Sequence, residues 1–200
     1  LARMFNAENK IGTDLHVIPM QGWRRGMYYD ATGLPWVAPS PNLRTLRAAF
    51  LYPGIEILQS TGVSVGRGTG TPFELFGAPW IRSRELLDEL QRRRIPGVRF
   101  RPLSFTPRSG LYKDQLCEGL AIEITDRARL RSMTLGLEIV SALWKLYPQH
   151  FKLDKTITLL GSASTLDALR RGVPPRSIIS SWSPDLARFR SLRSRYLLYQ

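Results

Sequence analysis

Gly66-Arg67-Gly68-Thr69 sets a guanidinium and a hydroxyl between glycines, and Glu74 follows a few residues on. Glycine at 66 and 68 permits positive φ and close backbone approach. Amide N–H groups, the Arg67 guanidinium and the Thr69 hydroxyl can therefore converge on one ligand. A phosphate loop is excluded, because no lysine follows the glycines as a Walker loop requires. A dinucleotide fingerprint is excluded too: Gly66, Gly68 and Gly70 run into Thr71-Pro72 instead of opening a helix. Two readings stay open, one wall of a sugar site or a tight turn whose Arg67 pairs with a carboxylate. Upstream, Trp23, Tyr28, Tyr29 and Trp36 cluster beside Ser40 and Asn42. Aromatic faces next to amide and hydroxyl groups suit a sugar ring, and equally a core whose polar tips are satisfied by backbone.

Glycoside hydrolysis ordinarily needs two carboxyl groups around the scissile bond. Asp30 and Glu74 flank the irregular segments, while Glu123 and Asp126 lie on or just after an alternating run. None forms a self-contained acid/base pair. Glu74, beside the glycines, is the best local candidate for a polar or assisting role; its structural alternative is to anchor Arg67 or loop amides. The single cysteine, Cys117, allows no internal disulfide, and His16 and His150 fit no metal-ligand spacing. No metal or cofactor is expected.

These residues must be carried by recognisable elements. The apolar run at 14–20 reads as a buried strand, and a long irregular segment rich in glycine, proline and aromatics follows it. Asn42 reads as the cap of a helix through Leu43, Leu46 and Phe50 that Pro53-Gly54 stops, and "IEIL" at 55–58 reads as a strand. Beyond Pro72, "RELLDELQRRR" is helical, and "VRFRPLSF" and "LAIEIT" alternate as strands. Met133, Leu137, Val140, Trp144 and Tyr147 mark a long helix, with Val140 and Trp144 expected in the core beside Leu120, Ile122 and Ile124. "TLDALRRG" is a short helix with Gly172 at C′, and Ser183-Pro184 starts a last one. The expected fold class is α/β. Residues 1–71 read as the C-terminal remainder of a Rossmann-like catalytic domain, and residues 72–200 as a smaller α+β domain.

With 43% apolar and 22% charged residues the chain has the composition of a folded protein. No run approaches the roughly 18 apolar residues of a membrane-spanning helix. The net charge of +13 invites a nucleic-acid reading, but the arginines are scattered among helical segments as solvated faces would be. The competing class is a non-catalytic module that binds anionic cell-wall or nucleic-acid polymers. The opening stretch is amphipathic and begins without a capping residue, so the chain is expected to be the C-terminal part of a longer protein.

Five stretches together carry a resemblance: "DLHVIPMQGWRRGMYYDATGLPWVAPSPN", "GRGTGTPFELFGAPW", "PGVRFRPLSFTP", "CEGLAIEITDR" and the terminal "ASTLDALRRG…SIISSWSPDLARFRSLRSRYLLY". They resemble the exo-β-N-acetylmuramidases of the NamZ family through nearly the whole chain. The resemblance implies a Rossmann-like catalytic domain, a smaller C-terminal domain, and an active site in the cleft between them that releases terminal N-acetylmuramic acid from peptidoglycan fragments. The expected partners are peptidoglycan-derived muramic acid glycosides and the missing N-terminal domain of the same protein, not nucleic acid. The expected location is extracytoplasmic, periplasmic or secreted. On this analogy Trp36, Ser40, Asn42, Arg67, Gly68, Thr69 and Glu74 help bind the muramic acid, with Arg67 as partner of its lactyl carboxylate. The family's proposed catalytic glutamate sits in an upstream Pro-Glu-His-Gly-like segment, and no Glu-His pair occurs here. The 200 residues alone are therefore expected to be inactive. Gly62 and Val65 stand where many relatives carry asparagine and glutamate, and the resemblance assigns no role to Lys113 or Cys117.

Overall fold

A computed structural model describes residues 1–199. The chain is mixed α/β, with eight α-helices and one three-stranded antiparallel sheet among the described residues. It divides into two compact units, residues 37–179 and a second unit of residues 1–36 with the segment from 180 onward.

In the larger unit the sheet comprises β1 (Leu75–Ala78), β2 (Val98–Phe105) and β3 (Cys117–Ile124), in the order β1-β3-β2. Strand β3 is central, with Leu120 and Ile122 at 0% and 1% exposure, and the edge strand β1 is buried along its whole length. Strand β2 lies at an edge, which accommodates Pro102, a residue that cannot donate to a ladder. Its alternation sends Arg99 and Arg101 outward onto Glu123, directly opposite Arg99 in the register. Ile124 and Trp144, expected in the core, are only half-buried, whereas Val140 is fully buried. Ile124 ends its strand, and Trp144 faces a surface hollow with Pro148 and Pro174.

Helix α3 (Ser83–Arg92) packs on β2 and β3, and α4 (Ser132–Leu146) packs on α3 and on α2 (Leu46–Ile55). Three readings of the sequence fail at α2 and the residues just after it. Thr45, not Asn42, caps it, its hydroxyl accepting from the Ala48 N–H at 3.0 Å. Pro53-Gly54 does not stop it either: the helix runs through both to Ile55, and residues 56–58 continue as a 3₁₀ turn instead of a strand. Close packing of Gly54 on α4 holds the proline turn in place. A short apolar run has no strand signal of its own, and here its side chains Ile55, Ile57 and Leu58 are buried from a helical backbone.

No strand occurs among residues 1–71, so the buried strand expected at 14–20 is absent. That run joins no sheet among the described residues: the Met20 N–H donates to the Tyr199 hydroxyl at 2.6 Å, and Ile18 is 94% exposed. A boundary at residue 71 is likewise not where the compact units part. Ser64 bridges to Gly77 on β1 by two backbone hydrogen bonds of 2.8 and 2.9 Å, carrying one layer across that position.

The smaller unit contains α1 (Ala2–Glu8), which has no side-chain cap, and α8 (Ser183–Ser194) with Pro184 in its first turn. Glu8 accepts from Arg195 at 3.0 Å and from the Tyr196 hydroxyl at 2.5 Å, and Trp23 meets Tyr199 edge-on. Between α4 and α8 run α5 (Ile157–Leu160), α6 (Ala163–Arg170), closed by Gly172 at φ 70°, and α7 (Pro175–Ser181).

Candidate functional site

The glycine-rich stretch is a self-closed loop. Gly66 and Gly68 adopt φ of 78° and 81°, as a turn here requires. The Thr69 hydroxyl donates to the Gly66 carbonyl at 2.6 Å and accepts from the Thr71 N–H at 3.2 Å. Thr69 therefore spends its proton on the loop and keeps only acceptor capacity for a ligand. Phe73, itself at φ 65°, returns its N–H to the Val65 carbonyl at 2.8 Å.

Arg67 leaves this loop to meet a carboxylate. Its Nη2 donates to Glu56 Oε1 at 3.2 Å, and its guanidinium lies 5.1 Å from the Phe73 ring centroid. Burial pushes the Glu56 carboxyl above the usual carboxylate range, and the charge and hydrogen bond of Arg67 offset part of that. Glu56 Oε2 and Arg67 Nε have no hydrogen-bond partner among the described residues, so the pair is held at one point. Glu56 escaped the sequence reading. Its signal was a lone carboxylate inside the apolar run at 55–58, where a charge is rarely buried without a partner.

Glu74 is buried, and it does not anchor Arg67. Its Oε1 accepts from the Thr45 hydroxyl at 2.5 Å and its Oε2 from Arg47 Nη1 at 3.2 Å. One threonine thus caps α2 and ties it to the residue that leads into β1. Thr45→Ala removes the cap and leaves Glu74 a buried oxygen without its donor. Chemical denaturation is expected to show a loss of about 1–2 kcal/mol, with Thr45→Ser retaining most of it. Equal losses in both variants would refute the hydroxyl's double role.

Three of the expected residues, Asn42, Gly68 and Thr69, meet in one cleft of about 640 Å³. Ser40 stands behind them, its hydroxyl accepting from the Asn42 N–H at 3.3 Å. The Asn42 carboxamide is half-buried and makes no hydrogen bond among the described residues, so donors and acceptor both remain for a ligand. The far side is the end of β2 at Phe105 and the segment after it, with Thr106, Arg108 and Ser109, and Arg44 and Gly70 complete the lining. The two sides touch at Gly68: its carbonyl accepts from the Arg108 N–H at 2.9 Å, and a Cβ there would lie 2.4 Å from the Ser109 carbonyl oxygen. Only glycine lets the two loops close on each other. Neither Arg67 nor Glu74 lines the cleft, and no carboxylate does. Trp36 belongs to the smaller unit, where it packs edge-on against Tyr29 at 5.1 Å.

The remaining chemistry-bearing side chains have structural partners. Glu123 is held below the usual carboxylate range by its hydrogen bonds and charge pairing with Arg99, then Arg101. Asp126 accepts from the N–H groups of Ala128 and Arg129. Burial pushes the Cys117 thiol up, away from thiolate chemistry, and Lys113 lies 3.8 Å from Asp114.

Comparison with known proteins agrees along the whole chain. The family models described as exo-β-N-acetylmuramidase NamZ, N-terminal and C-terminal, match residues 1–47 and 50–199 respectively. The peptidoglycan β-N-acetylmuramidase NamZ of Bacillus subtilis (strain 168) is 39% identical over 202 residues, which cover 100% of this chain and 49% of that protein. Two crystal structures of DUF1343 family proteins from Bacteroides fragilis NCTC 9343 superpose over 100% of this chain. One has a TM-score of 0.88 at 30% identity with 55% of its own length covered, the other 0.75 at 27% with 54% covered. The chain thus spans about half the length of the relatives it matches.

Proposed function

We propose, for a chain that belongs to the NamZ family of exo-β-N-acetylmuramidases, that the whole protein releases terminal N-acetylmuramic acid from peptidoglycan fragments. In this reading the 200 residues supply a substrate-binding wall. One observation carries it: the cleft gathers the open Asn42 carboxamide, the Gly68–Gly70 backbone and two guanidinium groups, with no acidic residue in its lining. Such a surface binds a polar, anionic sugar and cannot by itself protonate a leaving group or activate water. Glu56 and Glu74 are occupied by Arg67 and by Thr45 with Arg47. The catalytic carboxyl groups therefore come from outside these residues, and Ser40, Thr69, Arg67 and Glu74 serve by fixing the loops that face the sugar. Since peptidoglycan lies outside the cytoplasmic membrane, we place the enzyme there.

The test is turnover of a chromogenic N-acetylmuramide. The full-length protein should cleave it, and residues 1–200 alone should not exceed the buffer background. In the full-length protein, Asn42→Ala should raise KM about tenfold through loss of one or two hydrogen bonds to the sugar. Turnover by the 200 residues alone would place the catalytic groups within them, and an inactive full-length protein would remove the muramidase reading.

A further inference from the structure

We propose that Arg108, assisted by Arg44, reads the lactyl carboxylate of muramic acid, the group that N-acetylglucosamine lacks; the inference rests on the muramidase reading above. Arg67, the natural sequence candidate, already holds Glu56. The Arg108 guanidinium lines the cleft and makes no hydrogen bond or ion pair among the described residues. Arg44 is committed only through Nε, to the Pro41 carbonyl at 2.9 Å, which leaves its terminal nitrogens available. No acidic residue in the lining neutralises either one. Two guanidinium groups in a concave, carboxylate-free site call for an anion, and the planar fork of arginine matches a carboxylate's two oxygens.

The loop that carries Arg108 is held in advance. Its N–H is fixed on Gly68, and the Asp114 N–H closes the loop on the Pro107 carbonyl at 2.8 Å. The Tyr112 hydroxyl donates to the Gly62 carbonyl at 2.8 Å and accepts from Trp80 Nε1 at 3.1 Å. Tyr112 and Asp114 sit at φ 61° and 59°, conformations that non-glycine residues keep only where surroundings enforce them. Less freedom is then lost when the guanidinium meets its ligand. Tyr112 is accordingly a positioning residue for Arg108.

The experiment titrates full-length protein with N-acetylmuramic acid and with its lactyl methyl ester, which lacks that charge and adds one methyl group. The wild type should prefer the acid by about 10- to 100-fold, as a charge-assisted pair gives. Arg108→Ala should bring the preference close to unity, and Arg108→Lys should keep part of it. Tyr112→Phe should lower the preference while leaving the affinity for the ester unchanged, a split that general loosening of the fold would not produce. High salt should shrink the wild-type preference, because both guanidinium groups are exposed. An Arg108→Ala variant that keeps the wild-type ratio, or a wild type without preference, overturns the proposal. Muramide turnover by that same wild type would leave the muramidase reading standing, and its absence would remove both.

Discussion

Gly54→Ala is expected to destabilise the protein by about 3 kcal/mol, although alanine is the better helix former by about 1 kcal/mol. The reason is the crossing of α2 and α4. A Cβ on Gly54 would lie 2.0 Å from the Ser132 carbonyl oxygen and 3.1 Å from the Gly136 N. From the other side, a Cβ on Gly136 would lie 2.5 Å from the Gly54 carbonyl oxygen. All of these neighbours are backbone, so no side chain can swing away and the helices must separate. Separation pulls apart the fully buried Leu51 and Ile55 of α2 and Leu135 and Ile139 of α4. It also breaks the hydrogen bond from the Ser132 hydroxyl to the Phe50 carbonyl. Urea denaturation of wild type and variant checks this, and a Gly54→Ala protein as stable as wild type would show that the crossing is not this close.

The same contact explains what was legible in the sequence and what was not. Helix α3 and strands β2 and β3 declare themselves, because their patterns repeat over eight or more residues and the period decides the element. The four residues at 55–58 repeat nothing, and what settles them is Gly136, some eighty positions away in the chain. The site divides in the same manner. Asn42, Gly68 and Thr69 were readable as polar groups beside glycines, and the fold brings them to one cleft. Arg108 looked like one more solvated arginine among 29 lysines and arginines. Its importance comes from the meeting of two loops at Gly68 and Ser109, which no local pattern records. Arg67 shows the converse: its spacing between glycines is conspicuous, but its partner Glu56 lies in a short apolar run that reads as a strand and folds as a 3₁₀ turn.

Glu89→Gln is expected to cost about 2–3 kcal/mol near neutral pH, and that cost should disappear in acid. The Glu89 side chain is 6% exposed and accepts from three cations: Arg93 at 2.8 Å, Lys145 at 2.9 Å and Arg92 at 3.0 Å. Burial alone would raise its carboxyl, but the hydrogen bonds from Lys145, Arg92 and Arg93 prevail and hold it at about 2. Lowering the carboxyl from 4.5 to about 2 is worth roughly 3 kcal/mol at most. Arg92 and Lys145 are 67% and 62% exposed, so solvent screening reduces that figure. Since the folded value lies below the unfolded one, the stabilisation is complete above about 4.5 and is lost as the pH falls toward 2. Arg93 also bridges to the buried Glu138 at 2.9 Å, so the network ties α3 to α4. Other carboxylates titrate in the same range, and the difference in unfolding free energy between wild type and Glu89→Gln isolates this one. That difference should hold steady from pH 7 to about pH 5 and shrink steadily below it. A difference that stays flat down to pH 2 would mean that the three cations stabilise the fold without Glu89's charge.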